Sequence, residues 1–242
     1  MARFTREITT TIKTKNNEQD MAVIILSAGI GNRIKSNEPR SLLKIGTKSL
    51  IEHQINIINC SVKNCEIIGV FGYAIDKIIK KIAGKLRVVE NQLYENTNNS
   101  ESLRLAVNNT SKKNILFLHG DLYFNSSTLK DLSFKKSFIV IDNKGMMHPK
   151  EIGVTIHNNK ATNLSYGLST KWCQIAFMTG KELKILKNVL SKLHGNQKKT
   201  LSFEIINKMI SMGANFRCYE PNEMNILEID CIKDLKNENF NL

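Results

Sequence analysis

The stretch "AVIILSAGIGNRIKSNEPRSLLKIG", Ala22 to Gly46, decides how the rest of the chain is read. Ala22 to Leu26 is a short continuous apolar run that closes on glycines, the pattern of a strand buried on both faces. Gly29 and Gly31 let the backbone turn sharply and bring its N–H groups close to a ligand, which suits phosphate oxygens and also an ordinary βα turn. Positive charge follows at Arg33, Arg40 and Lys44. Such side chains at the mouth of a glycine turn can neutralise a triphosphate, or they can simply face solvent. There is no third glycine of the dinucleotide fingerprint and no Gly-Lys-Ser/Thr ending, so neither a dehydrogenase nor a P-loop is signalled.

Outward from this stretch the pattern alternates. Ser49 to Asn59 places Leu50, Ile51, Ile55 and Ile58 at helical spacing, and "EIIGVFGY" from Glu66 reads as a second strand. Ile75 to Ile82 reads as a helix, "LRVVE" from Leu86 as a third strand, and Ser100 to Val107 as a helix that Ser100 is able to cap. "NILFLHGD" ends a buried strand at Asp121, and "SFIVID" and "IGVTIH" look like further strands. Repeated βα units imply a mostly parallel sheet with helices on both faces, whose ligands gather at the carboxyl ends of the strands. Later, "KWCQIAFMTG", "NFRCYE" and "NILEID" read as strands, with helices over Lys181 to Leu193 and Phe203 to Met212. No Pro, Gly or Ser cluster marks a linker, so the expected organisation is a polar extension over residues 1–20 and one domain over 21–242.

Composition bounds the function. The chain has 35 Lys plus Arg against 22 Asp plus Glu, a net charge of +13, which points to an anionic partner. Of the 35, 28 are Lys and 7 Arg, so a Lys-rich surface bias explains much of the excess, and base-edge readers lean on Arg. Helix-turn-helix spacing, zinc-finger patterns and RNA-reading aromatic motifs are not seen, so nucleic acid is not the expected partner. Cys60, Cys65, Cys173, Cys218 and Cys231 are odd in number and carry no close metal-ligand spacing, which fits a reducing, cytoplasmic compartment. The apolar runs are too short to cross a bilayer, so no membrane insertion is expected. A homo-oligomer is left open.

"LSAGIGNR" followed by "PRSLLKIG" resembles the opening signature of the nucleotidyltransferases that join an NTP to a sugar phosphate or to phosphocholine, Leu-x-Ala-Gly-x-Gly-x-Arg and then Pro-Lys-x-Leu. The resemblance implies a nucleotide-diphospho-sugar transferase type of α/β fold: Rossmann-like, three α/β/α layers, a mixed and mostly parallel sheet. It implies that Leu26, Ala28, Gly29 and Gly31 hold the nucleotide and its phosphates, and that Arg33 and Arg40 assist departure of pyrophosphate. Arg40 stands where the family has Lys, a planar fork in place of a point charge.

Three further elements extend the resemblance. Asp121 of "FLHGDLYF" is a strand-end carboxylate, and in the resembled family the Asp of such a "GD" element is a metal ligand. "NILEIDCIKDL", Asn225 to Leu235, is similar to the late Trp-x-Glu-Ile-Asp-Thr-x-x-Asp-Leu element of the choline-phosphate cytidylyltransferase branch. That similarity makes Asp230 the second metal ligand; Ile226 replaces the Trp and Cys231 the Thr. "NQLYENTNNSESLRLA" resembles the middle segment of the same branch and puts Asn98, Asn99 and Ser102 near the nucleotide.

The implied activity is Mg²⁺-dependent transfer of NMP, CMP from CTP in this branch, to a small phosphorylated acceptor such as phosphocholine. In that reading Asp121 and Asp230 hold Mg²⁺ and, with Arg33 and Arg40, form the catalytic set. A sugar 1-phosphate is the alternative acceptor, and a basic nucleic-acid-binding or regulatory domain without turnover is the alternative class. A quaternary ammonium acceptor calls for an aromatic cage, for which Trp172, Tyr166, Tyr219 and Glu228 are the candidates. His119 lies beside the "GD" element and is given no role.

Overall fold

The computed structural model describes residues 20–30, 38–144 and 147–229. Gly31, Arg33 and Asp230 lie outside the described residues, as do Cys231 and nearly all of the polar extension.

In chain order the elements are β1 (Met21–Ser27), β2 (Lys44–Ile45), β3 (Lys48–Ser49), α1 (Leu50–Ser61), β4 (Glu66–Phe71), α2 (Ile75–Ile82), β5 (Arg87–Glu90) and α3 (Asn99–Asn108). Then come β6 (Asn114–His119), β7 (Leu122–Phe124), α4 (Ser127–Lys130), β8 (Phe138–Asp142), β9 (Ile152–His157), β10 (Lys160–Tyr166) and β11 (Thr170–Thr179). The remainder is α5 (Gly180–Ser191), α6 (Ser202–Ser211), β12 (Arg217–Tyr219) and β13 (Ile226–Glu228).

Nine strands form one sheet in the order β5-β4-β1-β6-β11-β8-β12-β10-β9. Alternate residues of β1 feed two cores. Ala22, Ile24 and Leu26 pack with Leu103 and Ala106 of α3 and with apolar residues of α5 and α6. Met21, Val23 and Ile25 pack with Ile51 and Ile55 of α1, Ile78 of α2 and Leu129 of α4. Burying both faces of a strand demands an unbroken apolar run, which is why β1 reads as one and why three layers result.

The sheet is parallel from β5 through β4 and β1 to β6, and again where β12 joins β8. Beyond β6 the other pairings are antiparallel, because β11 runs against β6, β8 and β9, and β10 against β9 and β12. The strands "SFIVID" and "IGVTIH" are thus not joined by a crossover helix, as a run of βα units requires. Instead β9 and β10 form a hairpin whose turn, Asn158 and Asn159, holds both residues at positive φ of 49° and 58°. Asn tolerates that region, and such a two-residue turn matches the twist of the strands it joins. Strand β10, "KATNLSY", is missing from the sequence reading because only Ala161 and Leu164 of its seven residues are buried.

Helix α1 starts on a reciprocal cap in which Glu52 Oε2 accepts from Ser49 N at 3.1 Å and from Ser49 Oγ at 2.8 Å. Helix α3 is capped by Asn98, not Ser100: the Asn98 Oδ1 accepts from Asn99 N at 2.9 Å, and Ser100 sits one residue inside the helix. Among the described residues no helix is long and apolar enough to cross a membrane, and Cys60, Cys65, Cys173 and Cys218 are unbridged.

Candidate active site

Strands β1 and β6 are parallel neighbours, so the turn after one and the "GD" element after the other emerge at the same edge. Their close approach requires Gly120. A Cβ there would lie 2.4 Å from Ser27 Cβ and 3.0 Å from the Leu26 carbonyl oxygen, while Gly120 N donates to that carbonyl at 2.8 Å. Asp121 is the first residue past this contact, so its carboxylate stands at the strand end facing the loop after β1. Gly29 has open space on its side-chain face, and that space is the cleft.

The cleft has two adjoining lobes. One, of ≈ 190 Å³, is lined by Leu26, Ala28, Gly29, Asn98, Ser102 and Asp121, together with Asn91, Tyr94, Thr97, Asn99 and His119. The other, of ≈ 140 Å³, shares Leu26, Gly29 and Asp121 and adds Ser27 and Arg40. Every described residue of the expected site therefore lines one continuous depression.

Arg40 reaches the cleft from a 3-10 turn over Arg40–Leu42, and its Nη1 donates to Asp121 Oδ2 at 2.5 Å. Lys44, only four residues on, lies elsewhere, in a separate depression with Lys77, Lys80 and Lys81. The run of charge in the opening stretch is thus divided between two places.

The late Glu-Ile-Asp element closes the same edge. Strand β13 pairs antiparallel with β7, Glu228 opposite Leu122, and Ile229 N donates to the Asp121 carbonyl at 2.8 Å. Ile229 is fully buried against Leu43, Ile45 and Leu50, so the end of the described chain packs on the segment that carries Arg40. The residue that follows Ile229 is Asp230.

Polar side chains that sequence reading leaves unassigned bind these parts together. Asn91, 2 % exposed, donates through Nδ2 to Ser102 Oγ and to Thr97 Oγ1, each at 3.1 Å, and so fixes the floor of the larger lobe. His119 Nε2 lies 2.9 Å from Ser202 Oγ and 3.3 Å from Asn99 Nδ2. Burial pushes the His119 imidazole down to about 4, with Arg40 adding to the effect against the pull of Glu228 and a hydrogen bond from the ring to Gln174, so the ring is neutral near pH 7. Gln174 Nε2 donates to Glu228 Oε2 at 2.6 Å from a backbone at φ 58°, inside an irregularity of β11. Gln54, fully buried on α1, donates to the carbonyls of His119 and Leu122 at 3.1 and 2.7 Å and pins the corner that carries Asp121. Of these, only His119 was signalled locally, by its place next to "GD"; the others depend on contacts from distant parts of the chain.

The Glu228 carboxyl is held above its ordinary range by burial first and by the Asp121 charge second. Asp121, whose carboxyl lines both lobes of the cleft, is the kind of hard oxygen donor a divalent cation such as Mg²⁺ prefers, with the Glu228 carboxyl close enough to feel its charge. Among the described residues no group of three or more His, Cys, Asp or Glu forms a metal cluster, and Asp230 lies just beyond them.

The proposed aromatic cage does not assemble from its expected parts. Trp172 is 2 % exposed, its indole edge-on to Phe117 and His119 and its Nε1 donating to the Ile175 carbonyl at 3.3 Å. Tyr166 packs edge-on to Phe203, and the Tyr219 hydroxyl donates to the Asp131 carbonyl. A large aromatic in a strand is more simply core, and Trp172 is core here.

Residues 23–158 match the MobA-like NTP transferase domain, more than half of the chain. The chain belongs to the MobA-like NTP transferase domain family. This NTP transferase domain is 30 % identical over 145 residues to the bifunctional protein GlmU of Buchnera aphidicola, a match covering 59 % of the chain and 31 % of that protein. It is 37 % identical over 90 residues to the choline-phosphate cytidylyltransferase of Streptococcus pneumoniae, covering 35 % of the chain and 38 % of that protein. The matches span about a third of the length of these curated relatives. In fold it is similar to the solved CTP:phosphocholine cytidylyltransferase LicC of Streptococcus pneumoniae, with a TM-score of 0.75 at 21 % identity over 90 % of this chain and 96 % of that one. The nucleotide-diphospho-sugar transferase type of mixed α/β fold is therefore shown.

Proposed function

We propose that the chain transfers an NMP, CMP from CTP by first preference, to the phosphate of a small phosphorylated acceptor and releases pyrophosphate. One observation carries this reading: Asp121, Arg40, the open face of Gly29 and the Asn98–Ser102 helix start line one cleft at the carboxyl edge of β1 and β6. CTP and a choline-type acceptor come from the likeness to the cytidylyltransferases named above.

In this reading the loop at Gly29 receives the triphosphate and the larger lobe the nucleoside. Arg40, anchored on Asp121, is placed to balance charge that builds on the departing pyrophosphate. Asp121 and, outside the described residues, Asp230 would hold Mg²⁺, with Arg33 and Gly31 completing the phosphate grip. When bound, that ion offsets phosphate charge and helps align attacker and leaving group. Neutral His119 adds no positive charge to the cleft wall, and burial together with the Asp121 charge disfavours ionisation of Glu228 behind it. An acceptor phosphate oxygen attacks the α-phosphorus in line, and no covalent enzyme intermediate is needed.

The buried position of Trp172 favours a second reading, in which the acceptor is a sugar 1-phosphate and no cation-holding cage is required. Pyrophosphate release, measured for the four NTPs against phosphocholine, phosphoethanolamine and sugar 1-phosphates, separates the two. Turnover is expected with CTP and phosphocholine. Turnover confined to a sugar 1-phosphate would install the second reading, and pyrophosphate from no pairing would overturn both.

A further inference from the structure

At the opposite end of the sheet from Asp121 lies a second and larger concavity. Strand β11 runs against β6, with Thr179 opposite Asn114 at the start of β6, so the cleft beside Thr179 lies at the far edge from the candidate active site. It has a volume of ≈ 500 Å³ and draws Lys135, Lys136, Lys160, Lys181 and Arg217 together. Among the described residues Glu182 is the one acidic residue in its lining, and its carboxylate is already engaged by Ser137 Oγ at 3.2 Å and Asn215 N at 3.2 Å. Among the described residues none of the five cations has an ion-pair partner; Lys181 donates only to the Gly213 carbonyl, at 2.9 Å.

The fold forces two of these charges together. Lys160 of β10 stands directly opposite Arg217 of β12 in an antiparallel pair. The flanking bonds, Ala161 N to the Phe216 carbonyl and Cys218 N to the Asn159 carbonyl, make this a non-hydrogen-bonded pair, the class in which side chains on the same face stand closest. Like charges directly opposite destabilise a sheet. A Lys-rich composition accounts for lysines scattered over a surface, but it gives no reason to hold cations against one another in a concavity without a counter-charge.

We infer that this cleft binds an anion carrying several clustered phosphates. A single monovalent anion leaves most of the five charges uncompensated, whereas adjacent phosphates match them. Among the described residues no aromatic side chain lines the cleft, which therefore offers no platform on which to stack bases and reads phosphate alone. The inference is independent of the activity proposed above.

Inorganic tripolyphosphate is the probe, titrated calorimetrically into the full chain and into the Lys160→Gln/Arg217→Gln double variant. The wild-type chain is expected to show a binding class that weakens at least tenfold in the double variant, while pyrophosphate release at the other edge is unchanged. Without the anion, the double variant is expected to melt higher than wild type, because the repulsion is gone; with it, the wild-type chain gains the more. If the double variant fails to fold, Lys135→Gln/Lys136→Gln is expected to give the same loss. Equal tripolyphosphate affinity in wild type and variant would overturn the inference. So would tight binding of a 20-base-pair DNA duplex that tripolyphosphate does not displace, since the site would then belong to a nucleic-acid backbone.

Discussion

The two edges of the central sheet handle charge in opposite ways. At the carboxyl edge of β1 and β6, Arg40 is ion-paired with Asp121 and Glu228 is hydrogen-bonded by Gln174, so each charged side chain has a polar partner before any ligand arrives. At the amino edge of β6, Lys160 and Arg217 face each other, and Glu182, the only glutamate among the described residues of the cleft, is occupied by Ser137 and Asn215. Preorganised polar partners are what a site needs to meet charge that appears during a reaction. Uncompensated charge is what a site needs only to hold something already charged. In the readings proposed above, turnover belongs to one edge and retention to the other, and the contrast can be broken at several points.

The largest effect is expected from Asp121→Asn, which keeps the shape of the carboxyl edge and removes its charge. Turnover in the pyrophosphate assay should fall by about 10²–10³-fold, the scale of losing one electrostatic contact to a transition state. The melting temperature should stay close to wild type. A variant retaining near wild-type turnover would strip that edge of its reactive role.

Next comes Gln54→Ala. It leaves the carbonyls of His119 and Leu122 without their buried donor, a loss on the order of 2–3 kcal/mol in urea unfolding. Turnover should fall with it, because the corner that carries Asp121 loosens. Asn98→Ala follows: removing the cap of α3 should cost about 1 kcal/mol and raise the KM for the NTP more than it lowers kcat.

The smallest effect is a pH slope. Burial alone would raise the Glu52 carboxyl, but hydrogen bonds from Lys85 and Ser49 together outweigh it and hold the group at about 2, against an ordinary 4.5. A carboxyl lowered in the folded state stabilises fully above the unfolded value and loses that contribution as pH falls from 4.5 toward 2. Melting curves between pH 6 and pH 2 should therefore be flatter for Glu52→Gln than for the wild-type chain. Parallel curves would show that the α1 cap carries no acid-sensitive share of stability.

Much of the carboxyl edge was legible because its parts are local. The apolar run of β1, the glycines after it and the strand-end Asp121 each announce themselves within a few residues, and periodicity placed α1, α2, α5 and α6. Asn98 was named for the nucleotide but not as the cap, since Ser100 is an equally good capping residue and only the backbone path shows where α3 begins. Gln54 reads as a polar position on an amphipathic helix, and nothing near it in sequence says that it is buried under two carbonyls. Gln174 lies within a strand where a positive φ has no sequence signal for a residue other than Gly or Asn. The amino edge was invisible for a different reason: its cations come from four separate places, and only the pairing of β10 with β12 makes neighbours of Lys160 and Arg217.

The pairing of β13 with β7 also sets an order of events in time. All nine described strands of the main sheet precede residue 220, whereas β13, the partner of β7, comes after it with Ile229 and Asp230. During synthesis the N-terminal parts of a domain reach the solvent first. All nine strands of the sheet are therefore synthesised before β13, the strand that walls the proposed site and adds Ile226 to the second core. A chain interrupted before Ile226 would lack β13 and the Ile229 N–H that donates to the Asp121 carbonyl, and with them one wall of the proposed site.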